Sequence, residues 1–129
     1  MKNSEALLTN RFKLEIESDK NFPYYDVLAT EYEDGVLSVG FRCTTDFFAP
    51  AYFTNQNLTA MRGGDTFTLY YLDRLGYKVA KTVFNNVRYK RYNIRGTNYR
   101  NDERLEAVVI FNYSSVENSL VVDPEREHE

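Results

Sequence analysis

The chain has no tryptophan, one cysteine, one histidine and two methionines among 129 residues. It also has no apolar run approaching the roughly 20 residues a membrane helix needs. Each scarcity removes a class of function. Cys43 has no second cysteine with which to close an intrachain disulfide, which points to a reducing compartment and leaves an inter-chain bridge as the alternative. Nothing flanking Cys43 would lower its pKa, so it reads as a small hydrophobe on a core face rather than a reactive thiol. The single histidine, His128, sits in the terminal run Asp-Pro-Glu-Arg-Glu-His-Glu, whose dense charge and scarce apolar surface predict disorder. Histidine acid-base catalysis and His/Cys metal sites are thereby excluded. No cofactor is expected, because the sequence carries neither a phosphate-binding loop nor a nucleophile motif, and only carboxylate enzymes survive that filter. Residues 1–9 lack the charged start and long apolar middle of a signal peptide. A net charge of -3 and a pI near 5.3 supply no global attraction for nucleic acid or membrane. The expectation is a soluble protein made inside a cell, with no membrane partner.

What the chain has in quantity is aromatic surface, with 11 tyrosines and 9 phenylalanines, a strand-forming profile. Its length fits one domain that buries most of its apolar surface without staples. The expected division is an arm at 1–9, a single β-barrel or sandwich domain at 10–122 and a charged, disordered tail at 123–129. The stretch from Asp65 to Tyr113 organises the rest. Phe67, Leu69 and Tyr71 alternate with Thr66, Thr68 and Tyr70. Asp73-Arg74-Leu75-Gly76 then offers a carboxylate to cap a tight reversal and a glycine for positive φ, and Tyr77 to Phe84 alternates again on the return. Leu105, Ala107, Val109, Phe111 and Tyr113 share one face of the last strong strand, opposite Glu106, Val108, Ile110 and Asn112. That second face is half apolar, so the strand lies between two layers or against a neighbouring subunit.

Elsewhere Phe12, Leu14 and Ile16 alternate with Arg11, Lys13, Glu15 and Glu17, the pattern of a half-buried strand with a charged face. Tyr25 to Tyr32 and Val36 to Thr44 read as two more strands, joined by a tight turn at Asp34-Gly35. Leu37, Val39, Phe41 and Cys43 should face inward. Asn85-Asn86 breaks the pattern before a strand at Val87 to Ile94, and Ser114 to Val122 adds a short extended piece. Asn55 to Arg62, stopped by Gly63-Gly64, is the sole helix candidate. Pro50 cannot donate to a ladder, which confines Asp46 to Phe53 to an edge or a loop. Its rings, Phe47, Phe48, Tyr52 and Phe53, either tuck over the core or form a patch that contacts another chain. The fold class is mainly β: two packed antiparallel sheets or a small barrel, with one short helix.

Two constellations could carry function. Arg88, Lys90 and Arg91 interleave with Tyr89 and Tyr92, followed by Tyr99, Arg100 and Arg104, as basic and stacking residues do in single-strand binders. Against that reading stand the net negative charge and a strand alternation that would split Arg88 and Lys90 from Arg91. A positive strand that pairs with the acidic surface of a neighbouring copy explains the same residues. The acids Glu15, Glu17, Glu31, Glu33 and Asp34 include pairs of the kind used in glycoside hydrolysis, though on adjacent strands such acids make a solvated face.

The run Asn10-Arg11-Phe12-Lys13-Leu14-Glu15-Ile16, then Leu72 to Val79, then Phe84-Asn85-Asn86-Val87, and a closing Leu105 to Tyr113 strand ending in Ser114-Ser115-Val116-Glu117, resembles the tail tube proteins of contractile phages. It is similar in the same way to related injection-system tubes, including the haemolysin-coregulated tube protein of type VI secretion. The resemblance spans residues 10 to 117 in order, and it rests on the order and spacing of strand patterns. It implies a tail-tube-like pair of sheets that assembles into rings, commonly hexameric, whose inner strands join across subunits to wall a channel. Rings then stack, and no catalytic residue exists. Implied partners are further copies, sheath and baseplate proteins, and DNA or effectors passing through the lumen, in a virion tail assembled in the host cytoplasm. Lys13, Glu15 and Glu17 become candidates for the lumen, since a wall that repels phosphate lets DNA slide. Phe47, Phe48, Tyr52, Phe53, Arg88, Lys90 and Arg91 become candidates for contacts between subunits. The alternative is a small monomeric or dimeric barrel that binds single-stranded nucleic acid or another ligand through residues 88–104.

Overall fold

A computed structural model describes residues 12–20, 22, 27–54, 63–95 and 105–124. Period-two alternation governs most of them. The strands run β1 (Phe12–Ile16), β2 (Val27–Glu33), β3 (Val36–Arg42), β4 (Asp65–Leu72), β5 (Lys78–Arg95), β6 (Glu106–Asn112) and β7 (Ser115–Leu120), with one helix, α1 (Ala49–Thr54), between β3 and β4. Every strand pairing is antiparallel, and the path across the sheet is β1-β4-β5-β6-β3-β2, with β7 also paired to β5.

The 18-residue β5 gives this path its shape. Its first part pairs with β4 on one side and β7 on the other, while its last part pairs with β6. One strand thus belongs to two sheets: β1-β4-β5-β7, the first, and β5-β6-β3-β2, the second. The Asn85-Asn86 break expected from the sequence is a bend within this single strand. Asn86 takes a left-handed φ of 57°, a conformation asparagine tolerates better than most residues. β6 and β7 follow the same bend in succession, each paired with its own part of β5, and between them the Ser114 N–H donates to the Asn85 carbonyl at 2.9 Å.

The buried faces of the two sheets meet over an aromatic core. Leu14, Ile16, Phe67, Leu69 and Phe84 come from the first sheet, and Leu37, Val39, Phe41, Val109 and Phe111 from the second. Phe67 and Phe111 touch edge to face across the layers, with ring centroids 5.0 Å apart. Such a pair contributes about 0.5–1.5 kcal/mol beyond the area it buries.

The described helix precedes the stretch in which the sequence suggests one. Residues 55–62, the expected helix, fall outside the described residues. The Ala49–Thr54 segment, expected as an edge or loop because of Pro50, is helical instead. Pro50 stands in the first turn, where a missing N–H forfeits no intrahelical bond. The helix buries Ala49, Pro50 and Phe53 and closes one mouth of the core, with Phe53 5.0 Å from Phe111 and 5.2 Å from Phe41.

Both expected turns form. Asp34 (φ 50°) and Gly35 (φ 81°) reverse the chain between β2 and β3. At the β4–β5 turn the Asp73 carboxylate accepts the N–H groups of Leu75 at 2.9 Å and Tyr77 at 3.0 Å, and Gly76 takes φ 90°. Asp123, assigned by sequence to the disordered tail, is 8 % exposed and accepts the Lys78 N–H at 3.0 Å. The arm at 1–9 and the rest of the tail, 125–129, lie outside the described residues.

Candidate assembly surfaces

The sheets end in edges. Among the described residues, β1 and β7 bound the first sheet, and β2 bounds the second on one side. The other boundary of the second sheet is β5 itself. β4 begins at Asp65, opposite Val87, so from Arg88 onward β5 has β6 on one side and no described strand on the other. Unpaired N–H and C=O groups along such edges are templates for another chain.

The outward face of the second sheet has a charge order that follows from its register. One row runs Glu31, Ser38, Ile110, Arg91, and the next Glu33, Val36, Asn112, Arg88. Each starts with an acid on β2 and ends with a base on β5. Arg88 and Arg91 share this face because a bulge between Tyr89 and Arg91 takes up Lys90 as the extra residue. Simple alternation would have separated them. Between the charged ends the face carries Val36, Ser38, Gly40, Val108, Ile110 and Asn112. Leu28, Ala29, Gly40 and Val108 help to line a shallow trough of about 250 Å³. Glu31, Glu33, Lys90 and Arg91 are exposed and lie within ion-pairing distance of no described residue. Arg88 reaches the Gly63 carbonyl at 3.5 Å and Asn86 Oδ1 at 3.4 Å, both long contacts.

The first sheet's outward face carries the other group of sequence candidates. Glu15 lies 3.6 Å from both Lys13 Nζ and Lys78 Nζ, and Lys78 also sits 4.2 Å from the centre of the Tyr70 ring. Glu15 is thus paired within the subunit, between two lysines. Glu17 lies beyond the end of β1 and is exposed, its N–H donating to the Thr66 carbonyl at 3.0 Å. The structure therefore brings Lys13 and Glu15 together and leaves Glu17 at the border of the same face. β7 has no comparable charge order, and Leu120 at its end and Val122 just beyond are 88 % and 72 % exposed.

The aromatic segment serves mainly the subunit itself. Phe47 and Phe53 are core residues at 6 % and 0 % exposure, and Tyr52 is half-buried, its ring against Phe22, Phe47 and Phe53. Phe48, 45 % exposed, alone stays outside. Of the two readings of this segment, Phe47 and Phe53 follow the one in which the rings tuck over the core. The helix turns Tyr52 and Phe53 inward, and the turn from Thr44 to Phe47, in which the Thr44 N–H donates to the Phe47 carbonyl at 2.9 Å, sets Phe47.

The Tyr52 hydroxyl donates to the Asp19 carboxylate. Burial first, then this hydrogen bond and the negative charge of Asp19, push the phenol far above its ordinary pKa. Burial also raises Tyr89. The folded state therefore favours the neutral Tyr52 phenol. The stability this confers is complete below the unfolded tyrosine pKa of about 10 and is lost as pH rises above it. An ultraviolet titration should show Tyr52 ionising only as the chain unfolds in alkali. Tyr52→Phe should remove that late component and cost about 1–3 kcal/mol at neutral pH.

Among the described residues no group of three or more His, Cys, Asp or Glu side chains is placed to hold a metal ion, and no helix is long and apolar enough to cross a membrane. The site that sequence reasoning missed is the acidic edge on β2. Glu31 and Glu33 were legible only as two acids, because the strand's place at a sheet boundary depends on long-range pairing.

No protein-family model and no curated protein matches the sequence. Solved structures do match the fold. The chain is similar to one from the cryo-EM structure of the anti-feeding prophage cap, the AFP tube terminating cap, at TM-score 0.70 and 11% identity over 94% of this chain and 95% of that one. It is also similar to a chain of the PVC sheath-tube complex of an extracellular contractile injection system in the extended state, at TM-score 0.68 and 11% identity over 90% and 93% of the two chains. Hcp1 from Flavobacterium johnsoniae aligns at TM-score 0.52 and 11% identity over 91% and 89%. At these identities the likeness establishes the fold: mainly β, antiparallel, with one short helix, as in the tube-like proteins of contractile injection systems.

Proposed function

We propose that this chain, which has the tube-like fold of contractile injection systems, is a structural subunit of a phage-tail-like tube. Copies close into a ring, six to a ring by the family resemblance, and rings stack into a conduit for DNA or effector proteins. Its role is structural rather than catalytic, within a tail-like particle where sheath and baseplate proteins are its other partners. The observation that carries this reading is that residues 88–95 of β5, on the side facing away from β6, pair with no strand among the described residues. A self-contained barrel would close that edge or blunt it. Strand direction supports it too. In each sheet four antiparallel neighbours alternate, so copies related by rotation about a common axis meet edge to edge in antiparallel register.

Two outward faces compete for the lumen. One carries Lys13 and Glu15 with Glu17 at its border, and the other carries the rows from Glu31 to Arg91 and Glu33 to Arg88. Phe48 is a candidate for contact between subunits. Sedimentation velocity over a range of concentrations, with negative-stain microscopy of the heavy fraction, tests the proposal. Rings or tubes of uniform width with a central channel are expected. A monomer or dimer at every concentration and salt would refute it and favour the small ligand-binding barrel, for which the basic residues 88–91 would then be the first surface to probe with single-stranded oligonucleotide.

A further inference from the structure

Resting on the reading of the chain as a ring subunit, we propose that the ring joint is a charge-matched strand pairing, in which the β2 edge of one copy meets residues 88–95 of β5 in the next. Glu31 and Glu33 then face Arg88 and Arg91 of the next copy. Three observations converge on this joint.

The two edges belong to the same sheet and carry opposite charge. β2 ends in Glu31, Glu33 and the adjoining Asp34, while the facing boundary holds Arg88, Lys90 and Arg91. The acid-to-base rows cross the sheet without a break, so setting copies side by side places an acid beside a base at every joint. Directly opposite residues on paired strands stand about 4.5–5.5 Å apart at Cβ, within reach of an ion pair. A joint of acid to base is heterologous, and heterologous contacts generate rings when the rotation closes. An acid edge meeting a second acid edge is penalised, which blocks the two-fold dimer that symmetric edges would allow.

The charges are also unspent. Glu31, Glu33, Lys90 and Arg91 have no ion-pair partner among the described residues. In contrast, Glu15 on the first sheet is already paired with Lys13 and Lys78 of its own subunit.

The first sheet, finally, lacks what closure needs. Its edges, β1 and β7, carry no complementary sign, and its strand count equals that of the second sheet. Two concentric layers with equal numbers of strands cannot both close, because the outer circumference is longer. The layer that closes is the inner one. The second sheet is therefore the channel wall, and its lumen face is the surface around Ser38, Gly40, Val108 and Ile110, banded by ion pairs at each joint. Lys13 and Glu15 fall on the outside.

The test uses wild-type protein and two double variants, E31K/E33K and R88E/R91E, with the melting transition of each as the control for folding. These residues are exposed, so both variants should melt like the wild type. Wild-type protein should form rings, and these should dissociate in about 1 M salt, where the Debye length falls to about 3 Å. Each variant alone should lose ring formation. An equimolar mixture should recover it, since copies with two basic edges then alternate with copies with two acidic edges in rings of even membership. If either reversal disrupts folding, E31Q/E33Q, which removes charge without reversing it, should still weaken assembly. Rings formed by wild type and by each variant alike would overturn the joint and leave the subunit reading standing. Folded variants that fail alone and also fail when mixed would overturn it as well. If wild-type protein forms no ring under any condition, the subunit reading fails and takes the joint with it.

Discussion

Phe111→Ala should cost the subunit about 3–5 kcal/mol of unfolding free energy, a large share of the roughly 5–15 kcal/mol available to a domain. Phe111 is fully buried on β6. Its ring meets Phe53 of the helix and Phe67 of the first sheet, each at 5.0 Å, and Tyr89 of β5 at 6.5 Å. It therefore joins the helix, both sheets and the basic edge. A cavity there has rigid strands on several sides, which limits collapse, and partial collapse is what sets the size of such losses. Urea denaturation of dilute, unassembled protein should show the midpoint falling accordingly. Phe48→Ala, at a position 45 % exposed, should change stability by less than about 0.5 kcal/mol. A Phe111→Ala loss below about 1 kcal/mol would mean that the two sheets do not pack through this ring.

Gly64→Ala should cost about 2–4 kcal/mol, combining backbone strain with displacement of a packed neighbour. Gly64 sits just before β4 with φ +94°, a region that side chains resist. A Cβ there would fall 2.0 Å from Asn86 Oδ1 and 3.2 Å from Asn86 Cα. The amide could swing away, but the backbone atom belongs to the bend of β5, where Asn86 is itself left-handed and donates to Ser114 Oγ at 2.7 Å. Relief of the clash has to move the bend. Arg88 lies two residues further on, so the variant should also assemble less well than its stability alone would dictate. Gly63→Ala is the matched control, because a Cβ at Gly63 meets nothing within 4 Å. Equal melting temperatures for the two variants would contradict the packing of Gly64 against the bend.

Much of this architecture was legible in the residues, and the rest was not for identifiable reasons. The alternation of Phe67, Leu69 and Tyr71, and of Ala107, Val109 and Phe111, reports local periodicity, and the strands follow it. The Asp34-Gly35 and Asp73-to-Gly76 turns depend on backbone preferences that act over four residues or fewer. The Ala49–Thr54 helix was not legible because Pro50 is ambiguous. The same residue that breaks a ladder is well suited to a helix's first turn, and only the burial of Phe47 and Phe53 chooses between them. The union of two expected strands into one bent β5 was hidden because Asn85-Asn86 signals a break, while the pairing of β6 and β7 alongside holds the chain extended. The candidate surface was half visible. Arg88, Lys90 and Arg91 stood out as a basic run, but the bulge that sets Arg88 and Arg91 on one face comes from the curvature of paired strands. The partnership of β2 with that run is a property of sheet order, which no local pattern encodes.

The central claim is that this chain leaves two strand edges open for copies of itself. Amide hydrogen exchange, measured on dilute protein and on the assembled particle, tests it most directly. Those amides of Val27–Glu33 that point away from β3, and those of residues 88–95 that point away from β6, should exchange quickly when dilute and slow together on assembly, as they find carbonyl partners. Particles in which both segments still exchange at the dilute rate, or protection that arises at β1 and β7 instead, would contradict it.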